Sequence, residues 1–422
     1  MSVEDNVISG SELKTMLHEH LEQKVDEEED RGMTWAFKNP AAMDYFKKDI
    51  LQVYVVVYRA DPEVKHMLTA AIRESGSVVG VTGEGLNDAR ALSDANLGFA
   101  MGQDGCAAAK EHADIILTDD NFASVVNAIR WGRNMQDNTR KFIQYQMTVN
   151  ISCLTFVIFS IVTLGFSPFS VFQLLWINLV MDVLAAIAFA TEHPHPTNLR
   201  KERIKKKDSI ITPLMVRATL SQALYQFLVM VVLLFFGPAM FGIRYDFYPL
   251  APLTVEVEGV DEPTRRLQHQ TLLFQTFMML NFFNMLNCRV LGQKPPAGLD
   301  LENNDPLSPQ EAEALKARRE LNIFTRIFDN WWFLIILLFE LNFQYLMVQY
   351  PAFSNIFITT PLTLNMHITT LCLGLGSWLV MVGVKFTPEK FLKKMPVMGE
   401  DEKTLEATQD AIKKGAAYAE LE

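Results

Sequence analysis

Asp182 sits in the middle of a long apolar run. It is the single charge between residues 149 and 190. A carboxylate at the centre of a membrane helix costs about 3 kcal/mol on insertion scales, so such a residue is functional by default. Asn178 lies one helical turn earlier, on the same face of an ideal α-helix. Asn150 lies in the preceding apolar run, which a short link makes the antiparallel neighbour. One carboxylate and two amide oxygens suit a hard cation such as Ca²⁺. Hydrogen bonding between membrane helices is the other use of such residues. Glu340 is a second carboxylate inside an apolar run, and its neighbours Asn342 and Gln344 cannot all share its face. It is expected to be buried, protonated or paired, against another helix. His367 reads as a packing residue.

A second candidate is the turn Thr82-Gly83-Glu84-Gly85-Leu86-Asn87-Asp88. Its glycines let the chain turn sharply at a strand end. Glu84 and Asp88 can hold Mg²⁺ there, the usual partner of phosphate chemistry. Lys65, in the preceding helix, can neutralise a phosphate. An ordinary structural turn has the same pattern. The cysteines Cys106, Cys153, Cys288 and Cys372 show no CxxC spacing and read as packed thiols rather than metal ligands.

These residues must be held by two kinds of structure. The 422 residues are 49% hydrophobic, 21% charged and carry a net charge of −11. That apolar content excludes a disordered chain, and four cysteines exclude a disulfide scaffold. An acidic pI near 5.3 argues against nucleic acid as a partner. The start of the chain is acidic and lacks the apolar core of a secretory signal. Residues 1–50 read as an acidic N-terminal segment and 51–121 as a partial α/β unit. Its strands are expected at 51–58, 77–82, 97–101 and 114–118, and a helix at 62–74 opens on Asp61-Pro62. Alternating strands and helices imply a parallel sheet, which binds ligands at the carboxyl ends of its strands.

The rest of the chain is mainly α. Six apolar stretches lie at about 141–165, 171–190, 214–240, 271–287, 331–350 and 362–384. Each approaches the roughly 20 residues that span a bilayer core. The weakest is 271–287, which contains Asn281, Asn284 and Asn287. This predicts a six-helix transmembrane bundle, four helices within 122–288 and two within 328–386. Lys and Arg concentrate in the links after the second helix (Arg200 to Lys207) and after the fourth. Both termini are therefore expected on the cytosolic side. The sequon Asn150-Ile151-Ser152 falls inside a helix and is discarded. Residues 289–327 form a polar insertion; its Pro-bearing part at 295–317 reads as a loop, with a short helix at 308–319. In the tail, 387–422, residues 401–422 read as an amphipathic acidic helix or a loose end.

A resemblance joins the two candidates. VTGEGLNDARAL at 81–92 resembles the hinge motif of P-type ATPases, TGDGxNDAPAL. DIILTDDNF at 114–122 and Trp131-Gly132-Arg133 are similar to the segment leading into that family's fifth transmembrane helix. QLLWINLVMDVLAAIAFAT at 173–191 resembles its sixth. The resemblance implies a HAD-like phosphorylation domain followed by family helices five to ten. It implies that Asn150, Asn178 and Asp182 are calcium ligands. It likewise implies that Lys65 contacts a phosphoryl group, Asn87 a phosphate and Asp88 a Mg²⁺ ion, with Thr82 and Gly83 completing the phosphate site. Met181 beside Asp182, and Cys153 where the two-site reticulum pumps carry a glutamate, are similar to the plasma-membrane type, which binds one Ca²⁺. Asn281 falls where the reticulum pumps have a further acidic ligand.

The departures are as informative. No DKTGT motif, which carries the family's phosphorylated aspartate, occurs in the sequence, and no TGES loop. Glu84 replaces a Mg²⁺-binding aspartate, Arg90 a proline, Ser93-Asp94 a lysine-rich pair and Cys106 a threonine. Without the nucleophile there is no aspartyl-phosphate. The expectation is a catalytically inactive calcium-ATPase-like membrane protein serving as a structural subunit or scaffold. The alternative is the C-terminal half of a working Ca²⁺ transporter, split or belonging to a longer chain. Ca²⁺ is the expected membrane cation, and the chain alone is expected to hold neither Mg²⁺ nor ATP. Lipid is an expected partner. Other membrane subunits are expected on the side where the family's first four helices would pack.

Overall fold

The structure, a computed structural model, describes residues 6–26, 32–51, 53–54, 56–194, 199, 209–243, 262–289 and 327–385. The basic link at 200–207, the loop at 295–317, the helix expected at 308–319 and the tail segment 401–422 lie outside the described residues. Two compact units divide the chain, with the boundary at Gly132 inside one long helix.

The acidic N-terminal segment is folded in the first unit. Strand β1 (Val7–Ser9) leads into α1 (Gly10–His20) through a capping box. Ser9 Oγ accepts from the Glu12 N–H at 3.2 Å, and Glu12 Oε2 accepts from the Ser9 N–H at 3.4 Å. Strands β2 (Leu21–Asp26) and β3 (Gly32–Phe37) pair antiparallel. Helix α2 (Pro40–Tyr45) continues through a π-helical stretch, Phe46–Ile50. These elements enclose a core of Leu13, Leu17, Trp35, Phe46 and Ile50, packed on Val64, Met67 and Ala71. The strand expected at 51–58 shrinks to β4 (Val56–Tyr58), which pairs parallel with β1. The N–H groups of Leu51 and Tyr54 donate back to the carbonyls of Phe46 at 2.9 Å and of Ile50 at 3.0 Å, so the chain still turns helically where the strand was expected to begin.

Helix α3 (Pro62–Glu74) starts where expected. Asp61 makes no side-chain cap bond, so Pro62 at the first position sets the start. Strands β5 (Gly80–Gly83), β6 (Leu97–Met101) and β7 (Ile115–Leu117) form a parallel sheet in that order. Between them run the short helices α4 (Ala89–Asp94) and α5 (Ala107–Glu111). A buried polar knot ties the hairpin to α3 and α4. Arg73 Nη1 meets Asp94 Oδ1 at 2.9 Å and His66 Nε2 meets Asp94 Oδ2 at 3.4 Å. Thr34 Oγ1 donates to Asp94 at 3.0 Å and accepts from Arg73 Nη2 at 3.2 Å.

The second unit is helical. Helix α6 (Phe122–Leu164) has 43 residues and crosses the boundary between the units. Helix α7 (Val171–Leu175), a π-helical stretch (Trp176–Met181) and α8 (Asp182–Ala190) form one continuous rod. Next come α9 (Pro213–Phe241), α10 (Glu262–Cys288), α11 (Trp331–Gln349), α12 (Pro351–Phe357) and α13 (Leu364–Lys385). Among the described residues, five spans are long and apolar enough to cross a membrane: α6, the rod Val171–Ala190, α9, α11 and Leu364–Val384. Their outward faces carry Leu154, Ile158, Val183, Leu224 and Leu379, as lipid contact requires.

Helix α10 has the length but not the hydropathy. From Thr271 to Cys288 its residues are buried, apart from partly buried Phe282. It packs against α13, α9 and α11. Some of its polar groups are met by protein. Gln344 Nε2 donates to Gln275 Oε1 at 2.8 Å, and Asn287 Nδ2 donates to Ser377 Oγ at 3.2 Å. Ser377 Oγ in turn donates to Gln222 Oε1 at 2.8 Å. A helix that does not face lipid has no need of an apolar surface.

Gly374 of α13 allows its close approach to α10. A Cβ there would lie 2.5 Å from Phe283 Cδ2 and 3.1 Å from the Met279 carbonyl oxygen. Gly374→Val should therefore cost about 1–3 kcal/mol through overpacking, read as a lowered midpoint of thermal unfolding in detergent. Gly383→Val, where nothing lies within 4 Å of the new Cβ, is the control and should change the midpoint far less.

Candidate functional site

Asp182 begins α8, directly after the π-helical stretch, and is 5% exposed. Gln146 Nε2 of α6 donates to Asp182 Oδ2 at 2.7 Å. The other carboxylate oxygen, Oδ1, is buried without a partner. Asn178 does not share this inward face. Its turn is π-helical, with more residues per turn than an α-helix, and Asn178 is exposed while Asp182 is buried. Asn150 is exposed as well. Asp182 thus turns inward to Gln146, and the two asparagines that were expected beside it face outward. Gln146 was missed from sequence. The available signal was an amide one helical turn before Asn150.

Glu340 of α11 is buried, as expected, and both of its carboxylate oxygens lack partners. Gln344, one turn on, is committed to Gln275. Asn342 is exposed and donates to its own helix at Leu338 O. His367 contacts Gln349, Nε2 to Nε2 at 2.8 Å, and lies against the Tyr345 ring, which is a packing role. Trp176 of the π-helical stretch stacks on Phe343 of α11 with centroids 4.5 Å apart. Just past α8, Glu192 is clamped by α6. Asn134 Nδ2 donates to its carbonyl at 2.6 Å, and Lys141 Nζ meets its carboxylate at 2.6 Å. Asp182 is thereby fixed between Gln146 and a pinned helix end.

In the first unit the turn after β5 brings Lys65 and Asp88 together at 2.6 Å. Asp88 Oδ2 also accepts from the N–H groups of Glu84 and Gly85, each at 3.2 Å. Burial raises the Asp88 carboxyl, but the Lys65 and backbone hydrogen bonds outweigh it and hold the group below its ordinary value. Gly83 is required here, since a Cβ would lie 2.5 Å from Asp88 Cβ. Thr82 is partly buried on β5, while Glu84 and Asn87 are exposed. Cys106, in the threonine position, caps α5 by accepting the Ala109 N–H at 3.4 Å. Asp88 is thus engaged by Lys65 and by two backbone N–H groups.

Residues 166–306 and 310–387 match the family model described as cation transporting ATPase, C-terminus. A plasma membrane calcium-transporting ATPase of Caenorhabditis elegans is 36% identical over 352 residues, which is 82% of this chain and 25% of that protein. A probable plasma membrane-type calcium-transporting ATPase of Oryza sativa subsp. japonica is 33% identical over 82% of this chain and 30% of its own length. A plasma membrane-type calcium-transporting ATPase of Arabidopsis thaliana is 36% identical over 79% of this chain and 27% of its own length. The chain therefore spans less than a third of each of these relatives.

Proposed function

Because the chain belongs to the family of cation-transporting ATPase C-termini and is an integral membrane protein, we propose that it forms the ion-binding membrane body of an ATP-driven Ca²⁺ transporter of the plasma-membrane type. The observation that carries this reading is Asp182. It is a buried carboxylate at a helix junction in a membrane unit, with one oxygen held by Gln146 and the other free for a ligand. The names of the relatives supply the cation.

On this reading the unit crosses the bilayer six times. The sixth crossing is α10, carried by its neighbours, and the Lys/Arg distribution puts both ends on the cytosolic side. The parallel sheet β5–β6–β7 is the remainder of a HAD-like phosphorylation domain, with Lys65, Thr82, Gly83, Asn87 and Asp88 at its phosphate edge. The phosphorylated aspartate comes from sequence outside these 422 residues. Asn150 and Asn178 complete the Ca²⁺ site from the outer side of Asp182. Both are exposed amides on apolar helices, a costly arrangement against lipid, so partner helices cover that side.

A second reading is a non-catalytic membrane subunit or scaffold. Glu84 favours it, because it replaces a Mg²⁺-binding aspartate of the family motif, and Arg90, in place of the motif's proline, is a second departure. Phosphorylation from labelled ATP in native membranes separates the two. A Ca²⁺-dependent acyl-phosphate in a complex containing this chain supports transport. Purification of the chain in an assembly that forms no acyl-phosphate, with or without Ca²⁺, supports the scaffold.

A further inference from the structure

Gln173 of α7 is 1% exposed and joins two helix ends. Its Oε1 accepts the Ser170 N–H at 3.0 Å, and its own N–H donates to Ser170 Oγ at 3.3 Å, which caps the start of the rod. Its Nε2 donates to the carbonyls of Phe357 at 3.1 Å and Ile358 at 3.3 Å. Ser170 Oγ also donates to Phe357 O, at 3.4 Å. The last carbonyls of a helix have no partner within it. One amide thus caps the rod and satisfies the end of α12.

The end it holds is strained. Ile358, directly after α12, has φ 55° and ψ 61°. A β-branched residue is an outlier there, and such a conformation persists only where its surroundings impose it. Those surroundings are the Gln173 amide and Thr359, which donates from its N–H to Ser354 O at 2.9 Å and from Oγ1 to Met347 O at 2.6 Å. Trp176 adds its stack on Phe343 of α11 and an edge contact with Phe357, centroids 5.8 Å apart. The first half of the rod is therefore attached to α11 and α12, while its far end is attached to α6 at Glu192. A shift between those two attachments must be absorbed between them. The π-helical stretch Trp176–Met181 lies there and ends at Asp182, and wide turns of this kind recur at functional sites.

We propose, resting on the Ca²⁺-transport reading above and deepening it, that Gln173 is a positioning residue: it latches the start of the rod to the α11–α12 turn, and opening this latch lets the rod move so that Asp182 gives up its cation on the side away from the cytosol. The links that meet at the latch, residues 165–170 and 350–363, contain no Lys or Arg, which puts them on that side in the six-crossing reading. Gln173 precedes Asp182 by nine residues, about 13 Å along a helix. It acts through the rod and not by touching the ion.

The test is the release of radioactive Ca²⁺ from the full chain in lipid nanodiscs, read beside hydrogen exchange. Gln173→Leu removes both the cap and the latch at similar volume. It should speed release at least about fivefold and speed exchange in Val171–Leu175 and at Thr359, with α9 and α10 protected as in the parent. Gln173→Glu keeps the acceptor that caps the rod but loses the two donations to α12. It should speed release as Gln173→Leu does while Val171–Leu175 stays protected, an effect that a purely capping role does not produce. If both variants release Ca²⁺ at the parent's rate, the latch is wrong and the transport reading survives. If the parent itself binds no Ca²⁺ at millimolar concentration, both fail.

Discussion

Asp182→Ala should reduce Ca²⁺ binding by at least about thirtyfold, because stripping one charged partner from a buried site costs roughly 2–5 kcal/mol. The same change removes the acceptor of Gln146, whose amide is then left in an apolar interior. Binding should fall without loss of the fold, since Lys141 and Asn134 still fix the helix end at Glu192. Radioactive Ca²⁺ binding, paired with gel filtration in detergent, checks both parts. A variant that elutes as the parent does and binds Ca²⁺ with unchanged affinity would refute the site.

Asp94→Ala should unfold much of the first unit. Asp94 and Arg73 are both nearly buried, and breaking one partner out of such a pair costs about 3–5 kcal/mol. The loss is readable locally, as faster hydrogen exchange in Gly32–Phe37, because Thr34 is held by the same knot. The pair also predicts a pH dependence. Burial raises the Asp94 carboxyl, but the His66 hydrogen bond, the Arg73 charge and Thr34 outweigh it, so its folded pKa lies below its ordinary value. A depressed carboxylate stabilises the fold above its unfolded pKa of about 3.9, and that contribution is lost as pH falls through the folded value. Protection of β3 should therefore hold above about pH 5 and decline below about pH 4. In Asp94→Asn the part of this decline due to Asp94 should be absent.

Asp94 also shows what the sequence concealed. As one of four departures from the family pattern, Ser93-Asp94 read as erosion, yet Asp94 is the centre of the knot that holds the hairpin. The partners Thr34, His66 and Arg73 lie far apart in sequence, and no local pattern links them. Local signals were readable where the chemistry is local. Pro62 fixed the start of α3, and the short buried strand β6 matched its expected residues. Ser9-Gly10-Ser11-Glu12 was a legible capping box inside a segment that had seemed only acidic. The site was half legible. Asp182 and Glu340 stood out as charges in apolar runs. The inward turn of Asp182 away from Asn178 did not, because a π-helical turn has no periodicity that an α-helical reading can anticipate.

Helix α10 has a consequence for how the protein is made. Insertion into a bilayer is decided largely by the hydropathy of each segment as it emerges, and this segment falls short of its five companions. On the six-crossing reading, α10 cannot partition into lipid alone. It must enter against α9, where His269 Nε2 meets the Leu233 carbonyl at 3.0 Å, and wait for α13 to supply Ser377 to Asn287. Until the last helix is synthesised, Asn287 lacks that partner. Biogenesis of this unit is therefore ordered by its polar residues, and a chain cut before α13 should leave α10 the first helix to slip back into water.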